Sequence, residues 1–338
     1  MPLRHTIPLT KLFALAFGLT ALTQSANAAD ESQKVREAAR AGTRAALSAI
    51  QSYGSMRLLG ISPMFSTGKS DQPSIDTAPK GQAAQFDPEA ITYSATPTYA
   101  TIDNRIEPLL TKGGVGLLIL GLEHFDEIDT VTGVTLTIDS TQVTLTERLP
   151  PAADTQASVR GTGYTIAPYI AKQLESGVLL DASLGFGSNG LKISKNSLKG
   201  SPTSSRMFFA VGATRFDQLS KKATLSTKGA FSYSTDKVPG FYLSDNSYST
   251  ASDSTLAQFK FTANYSYKLK SATPFVELST VFNNFTATGG SGSAPREYSS
   301  NIIGALGMKF SSDNVYGTLK YQLERGKRQL QGYVGYRF

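Results

Sequence analysis

Few side chains in this sequence are equipped for covalent chemistry. It has two histidines, His5 and His124, and no cysteine. A serine or cysteine hydrolase needs an imidazole beside its nucleophile and a carboxylate to orient that ring. His5 falls in a leader described below, so His124 alone could serve. Around it Glu123, Asp126, Glu127 and Asp129 form an acidic cluster of the kind that could hold a cation, but their spacing matches no calcium loop. The cluster reads as a charged turn between two strands with a solvated histidine beside it. No catalytic, cofactor or metal residue is assigned.

A second set of residues is charged rather than reactive, and alternation defines it. A strand sends successive side chains to opposite faces. Over 256 to 269, Ala257, Phe259, Phe261, Ala263, Tyr265, Tyr267 and Leu269 share one face, and Gln258, Lys260, Thr262, Asn264, Ser266 and Lys268 share the other. At 178 to 187, Val178, Leu180, Ala182, Leu184 and Phe186 oppose Asp181, Ser183, Gly185 and Gly187. At 315 to 324, Val315, Gly317, Leu319, Tyr321 and Leu323 oppose Tyr316, Thr318, Lys320, Gln322 and Glu324. Collected over all such segments, the polar face carries Lys228, Lys260, Lys268, Lys309, Lys320 and Arg337 against Asp181, Glu277 and Glu324. Charges of this kind pair across strands and hold a wall in shape, or they bias what occupies a pore.

The elements that position them follow from the N-terminus. Arg4 and Lys11, an apolar run from Leu12 to Leu22 and the site Ala26-Asn27-Ala28 make residues 1 to 28 a secretory signal peptide, cut between Ala28 and Ala29. The run is about half the ~20 residues of a spanning helix. Residues 30 to 58 read as a helix, with Val35, Ala38, Ala39, Ala45, Ala46, Ala49, Ile50 and Tyr53 at three- and four-residue spacings and a basic side of Lys34, Arg36, Arg40 and Arg44. Residues 60 to 87 turn to Ser, Pro, Gly, Gln and Asp, a linker composition, which puts a boundary near residue 88. The extra segment is thus 29–87 and the strand-rich unit 88–338.

Twelve alternating segments follow, near 88–100, 114–124, 131–140, 163–174, 178–187, 206–216, 223–234, 256–269, 273–284, 300–310, 315–324 and 328–338. A tilted strand of about 9 to 11 residues crosses a bilayer. Strands can do so only in a closed sheet, because lipid offers no partner to an unpaired edge. An even count, the stock of 15 Tyr and 18 Phe for interface girdles, and a rhythm of short and long connections fit that closure better than a soluble sandwich does. The short connections are 125–130, 175–177, 217–222, 270–272 and 311–314. Those at the other end are 101–113, 141–162, 188–205, 235–255 and 285–299, with 325–327 tight. The predicted fold is a transmembrane antiparallel β-barrel of about twelve strands.

Leu330, Gly332, Val334, Tyr336 and Phe338 alternate with polar and small residues up to the terminal aromatic. This resembles the last-strand signal that outer-membrane proteins offer to the barrel-assembly machinery, whose own edge strand can pair with it. The runs GYTIAPYIAKQLESGVLLDASLGFG at 163–187, GGVGLLILGLEHF at 113–125, TPFVELSTVF at 273–282 and LQGYVGYRF at 330–338 resemble the autotransporter β-domain, the translocator of type V secretion. The resemblance covers about 88 to 338. It implies an outer-membrane barrel, a helix threading the pore, and an N-terminal passenger carried outside. Residues 29–87 are too few for the family's long β-helical passenger. The pair Asn283-Asn284 falls on a barrel strand rather than in the helix, so the self-cleavage known in some family members is not expected.

The expected function is therefore transport or anchoring of the chain's own short N-terminal segment at the cell surface, as plug, tether or displayed peptide. A passenger-less channel or structural barrel is the alternative, as is an adhesin or receptor using the long external loops. The chain is expected to be no enzyme and to act as a monomer, without cofactor or nucleic acid. Its partners would be outer-membrane lipids, the general secretion translocon, periplasmic chaperones and the barrel-assembly machinery. A basic helix would be repelled by a basic lumen, so it can plug the pore only by meeting acids or polar groups there.

Overall fold

The protein is seen in a computed structural model that describes residues 31–58, 92–106, 109–127, 129–147, 154–270, 272–289, 296–311, 315–324 and 327–336. The signal peptide with Ala28 and Ala29, the linker with its boundary near 88, and Arg337 and Phe338 lie outside the described residues.

Helix α1 spans Glu31–Leu58. The strands are β1 (Thr92–Ile106), β2 (Leu109–Glu127), β3 (Thr130–Glu147), β4 (Thr155–Gln173), β5 (Val178–Lys195), β6 (Leu198–Gly200), β7 (Thr203–Gln218), β8 (Ala223–Val238), β9 (Phe241–Tyr242), β10 (Tyr248–Ser249), β11 (Ser252–Tyr267), β12 (Ala272–Gly289), β13 (Arg296–Ser311), β14 (Val315–Glu324) and β15 (Lys327–Tyr336). One antiparallel sheet runs β1-β2-β3-β4-β5-β7-β8-β11-β12-β13-β14-β15, with β6 attached to β5 and β9–β10 a separate hairpin. The last strand lies back against the first. This is the twelve-stranded antiparallel barrel that the alternation predicts.

The outer face carries a belt of exposed apolar side chains, among them Leu122, Ile138, Ile166, Phe186, Phe261, Leu278 and Ile302. Such a belt suits contact with lipid. No described helix is long and apolar enough to cross a membrane. Instead α1 packs against strands all round the sheet, from β1 and β2 to β8 and β11, and so lies inside the barrel.

The strands run longer than expected, and β1 and β2 are separated only by residues 107 and 108, where 101–113 reads as a loop. The cause is a change of phase within single strands. In β3, Val134 and Ile138 face out while Thr135, Thr137 and Asp139 are buried inside; further on Ser140, Gln142 and Thr144 face out and Val143 and Leu145 are buried inside. β4 and β5 invert likewise, with Val159, Leu191 and Ile193 turned inward beyond the apolar belt. Beyond the apolar belt the wall is polar outside, and its inner face is apolar where it packs on the helix. Segments read as long loops, 141–162 and 285–299 among them, are therefore largely strand, which leaves less loop for an adhesin. Over 239–251 the β9–β10 hairpin folds back. Phe241 and Leu243 join the core formed by Val35, Ala38 and Ala39 of α1, and Tyr242 and Tyr248 meet outside with tilted rings, centroids 5.1 Å apart. At its tip Asp245 accepts hydrogen bonds from the Ser247 amide and hydroxyl, which hold its carboxyl below the usual carboxylate range.

Candidate functional site

The site is the lumen and the helix in it. The ends of β2, β4, β7, β11 and β13 and the starts of β3, β5, β8, β12 and β14 lie at one end of the barrel, the turn end. The loop end holds the ends of β3, β5, β8 and β12 and the described stretches 196–202 and 239–251. β1 begins at the turn end, where Thr92 pairs with Glu123. The N-terminus of α1 is at the opposite end. Glu31 meets Lys195 at 2.8 Å and Lys34 at 3.1 Å, and Lys34 meets Glu147 at 3.1 Å. Glu147 and Lys195 are the last residues of β3 and β5, so two acids and two lysines clasp the helix start.

One turn further, Arg36 donates to the Ser252 hydroxyl at 2.8 Å, and the Arg40 guanidinium lies 3.6 Å from the centre of the Phe285 ring while pairing with Glu37 at 3.3 Å. A guanidinium on an aromatic face contributes more once desolvated. Thr43 donates to the buried Asp236, which also lies in the field of Arg40, Arg44 and Arg206. Gly42 lets the helix lie close to the wall: a Cβ there would stand 3.2 Å from the Thr141 hydroxyl and 3.4 Å from the Asp139 carboxylate. Below it Ala46 packs on Val115 and Leu117, and Leu47 and Ile50 on Ala167, Phe208 and Ala210. Burial of Leu47 and of Ile50 contributes about 1.5–3 kcal/mol each. The basic helix thus lies among the acids it needs.

The wall itself is stapled by charges that straddle intervening strands. Arg206 on β7 reaches Asp139 on β3 through two hydrogen bonds of 2.8 and 3.3 Å, crossing β5 and β4. Gly163 on β4 makes the crossing possible, since a Cβ there would collide with the Arg206 guanidinium and stand 2.9 Å from Asp139. Lys228 on β8 meets Asp181 on β5 at 3.0 Å over Gly212 of β7, where a Cβ would come within 2.8 Å of the carboxylate. Lys320 on β14 meets Glu277 on β12 at 2.7 Å, across Ala305 and Gly307 of β13.

Of the inward charges expected from alternation, Asp181 with Lys228 and Glu277 with Lys320 come together as pairs. Lys260 lies in the field of Glu277, and Lys309 sits 5.8 Å over the Phe275 ring. Lys268 faces inward near the turn end, half-buried. Glu324 is on β14, but its side chain lies outside the described residues, as does Arg337. The sequence reading missed Glu31, Asp139, Glu147, Lys195, Arg206 and Asp236, which hold the helix and its wall. Asp139 shares parity with buried Thr135 and Thr137, a usable signal, whereas Asp236 falls in a stretch read as loop. At the turn end Glu123 is buried inside and the adjacent His124 is exposed outside, so the two point apart. Among the described residues no group of three or more His, Asp or Glu gathers as a metal site. Leu330, of the assembly signal, is exposed on β15, and the backbone of Gly332, Val334 and Tyr336 continues that strand.

No family model matches this sequence, and no curated protein does. Solved structures do. The translocator domain of the autotransporter NalP from Neisseria meningitidis superposes with a TM-score of 0.56 at 15% identity, over 73% of this chain and 87% of that one. The transport unit of the autotransporter AIDA-I from Escherichia coli gives 0.51 at 11% identity, over 78% and 94%. The β domain of the Bordetella autotransporter BrkA gives 0.50 at 13% identity, over 72% and 98%. The chain has the fold of an autotransporter translocator domain.

Proposed function

We propose that this barrel inserts in the bacterial outer membrane with its loop end outside, and that it carries its own N-terminal segment through the lumen and anchors it there. The observation that carries this reading is the clasp of Glu31 and Lys34 by Glu147 and Lys195 at the loop end. With the helix start there and β1 starting at the turn end, the chain enters the lumen from the surface side and returns to the periplasmic side before the first strand. No covalent step is required. Export by the secretion translocon with cleavage at Ala28-Ala29, escort by periplasmic chaperones and insertion by the barrel-assembly machinery through the 330–338 strand belong to the same proposal.

An epitope placed directly before Glu31 tests it. Antibody should bind that epitope on intact cells and should bind one placed near residue 70 only after the outer membrane is permeabilised. Access to the second epitope but not the first would reverse the orientation and sink the reading.

A further inference from the structure

At the loop end the outer face of the sheet sets opposite charges against each other at two places and like charges at a third. Asp103 of β1 stands directly opposite Lys112 of β2, and Asp253 of β11 directly opposite Lys237 of β8. On β4 and β5 the residues opposed are two cations, Arg160 and Lys192, and both are exposed. Side chains so placed have Cβ atoms about 4.5–5.5 Å apart, and like charges there destabilise a sheet. Lys199 of β6, also exposed, stands opposite Ser194 and so lies diagonal to Lys192.

The neighbours of the two cations do not neutralise them. On its other side Arg160 faces Gln142 of β3, and the next outward pair on β4 and β5 is Ser158 with Ser194. Beyond the apolar belt no carboxylate points outward from the described part of β2 to β6, and among the described residues neither Arg160 nor Lys192 enters an ion pair. Asp245, at the tip of the neighbouring hairpin, is engaged by Ser247. The cluster is therefore three cations set among hydroxyl and amide groups. An arginine fork takes two phosphate oxygens at once, and a lysine acts as a point charge beside it.

Height selects the anion. Tyr164 and Phe186 are the last outward apolar side chains of β4 and β5, and Arg160 lies four residues beyond Tyr164. At about 3.3 Å per residue and a strand tilt of about 40°, that is about 10 Å above the belt. The headgroup layer of a phospholipid leaflet is only about 5–7 Å deep. The cluster thus stands above phospholipid phosphates, at the level of a sugar headgroup that carries its own.

We infer that Arg160, Lys192 and Lys199 form a docking site on the outer wall for the phosphorylated sugar headgroup of an outer-leaflet glycolipid. The inference rests on the outer-membrane placement proposed above, with the loop end outside, and adds a bound partner to it. The phosphates supply the carboxylate that β4 and β5 lack and relieve the repulsion between Arg160 and Lys192. The same stretch of wall holds the start of α1 on its inner face, through Val159, Leu191 and Ile193, so the lipid braces the helix clasp from outside.

The test uses the mature full-length chain in detergent with purified lipopolysaccharide, either intact or stripped of its phosphates. The intact glycolipid should bind, and added salt should weaken the binding. Arg160→Gln with Lys192→Gln should lower the affinity about thirtyfold, at roughly fivefold per basic residue beside an anionic lipid surface. The dephosphorylated glycolipid should bind wild type no better than the intact one binds that variant. Lys237→Gln, at a position already opposed by Asp253, should bind as wild type does. Heat-modifiable gel migration shows whether the double variant folds; should it fail to, the dephosphorylated glycolipid decides with wild type alone. Equal binding by wild type and the folded double variant, equal binding of the two glycolipids, an equal loss in Lys237→Gln, or displacement by phosphatidylglycerol at the same concentration overturns the site. Binding in detergent does not depend on which way the barrel sits in the cell, so antibody access before Glu31 stands or falls separately.

Discussion

The β3–β5 wall and the β11–β14 wall belong to one sheet and obey one alternation, yet their inner faces are different materials. Beneath α1 the lining at the loop end is Val143, Leu145, Val159 and Leu191, and the charges further in are sealed. Across the lumen the lining is Lys, Thr, Asn and Ser with part of each side chain wet. The first is a protein interior that happens to lie inside a barrel, and the second is a polar lining that water partly reaches. What separates them is the helix, which excludes water from whatever it touches. The same chemical unit, a lysine or arginine paired with a carboxylate, should therefore carry very different energetic weight on the two sides.

The largest expected effect tests the sealed side. Arg206→Ala leaves Asp139 buried without its bidentate partner. Removing one member of a buried pair costs about 3–5 kcal/mol, because the remaining charge is uncompensated. Urea unfolding of the barrel in detergent should show that loss, and a change below about 1 kcal/mol would mean that water reaches Asp139 after all.

Next comes the helix contact that keeps this side dry. Leu47 is buried with Ile50 against Ala167, Phe208 and Ala210. Leu47→Ala should weaken helix docking by about 2–5 kcal/mol, the range for truncating a packed leucine. The barrel should persist while protease cuts within α1 more readily, and unchanged protection would place the anchoring in the ion clasp at Glu147 and Lys195 instead.

The alternation, the strand count and the terminal strand were legible because each is a local pattern that a sheet with an apolar outer face imposes. The outward Phe259, Phe261 and Tyr265 announce it directly. Strand length was not legible, since the pattern changes phase where β3 passes from Ile138 to Ser140, and a period-two reading stops at an inversion. The staple of the wall beneath the helix was hidden for a different reason. Arg206 and Asp139 are 67 positions apart and meet across two intervening strands, where Gly163 leaves room for the guanidinium. Such a contact exists only once the sheet has curled. The pairs Asp181–Lys228 and Glu277–Lys320 were nearer to hand, because each straddles a single strand.

That crossing sets the third prediction. At Gly212, a valine would press on the Asp181 carboxylate and on Lys228, whose Cε would lie 2.9 Å from the new Cβ. Both are ends of flexible side chains and can swing aside into water, so the cost should be about 1–2 kcal/mol, the low end of overpacking. A Gly212→Val, Lys228→Ala double mutant should cost little more than the single change, because the valine has already parted the pair. Full additivity in a double-mutant cycle would show that the valine left the pair intact.

The smallest effect belongs to the open wall and completes the contrast with Arg206. Lys320→Met removes the partner of Glu277 at 2.7 Å while keeping much of the apolar stem. Glu277 retains the field of Lys260 and a hydrogen bond from the Ser279 hydroxyl, and water reaches it. A part-exposed pair contributes about 0.2–1 kcal/mol, so the unfolding midpoint should move far less than in Arg206→Ala although the geometric distance is shorter. Equal losses in the two variants would mean that distance, rather than the exclusion of water by the helix, governs the energetics of this lumen.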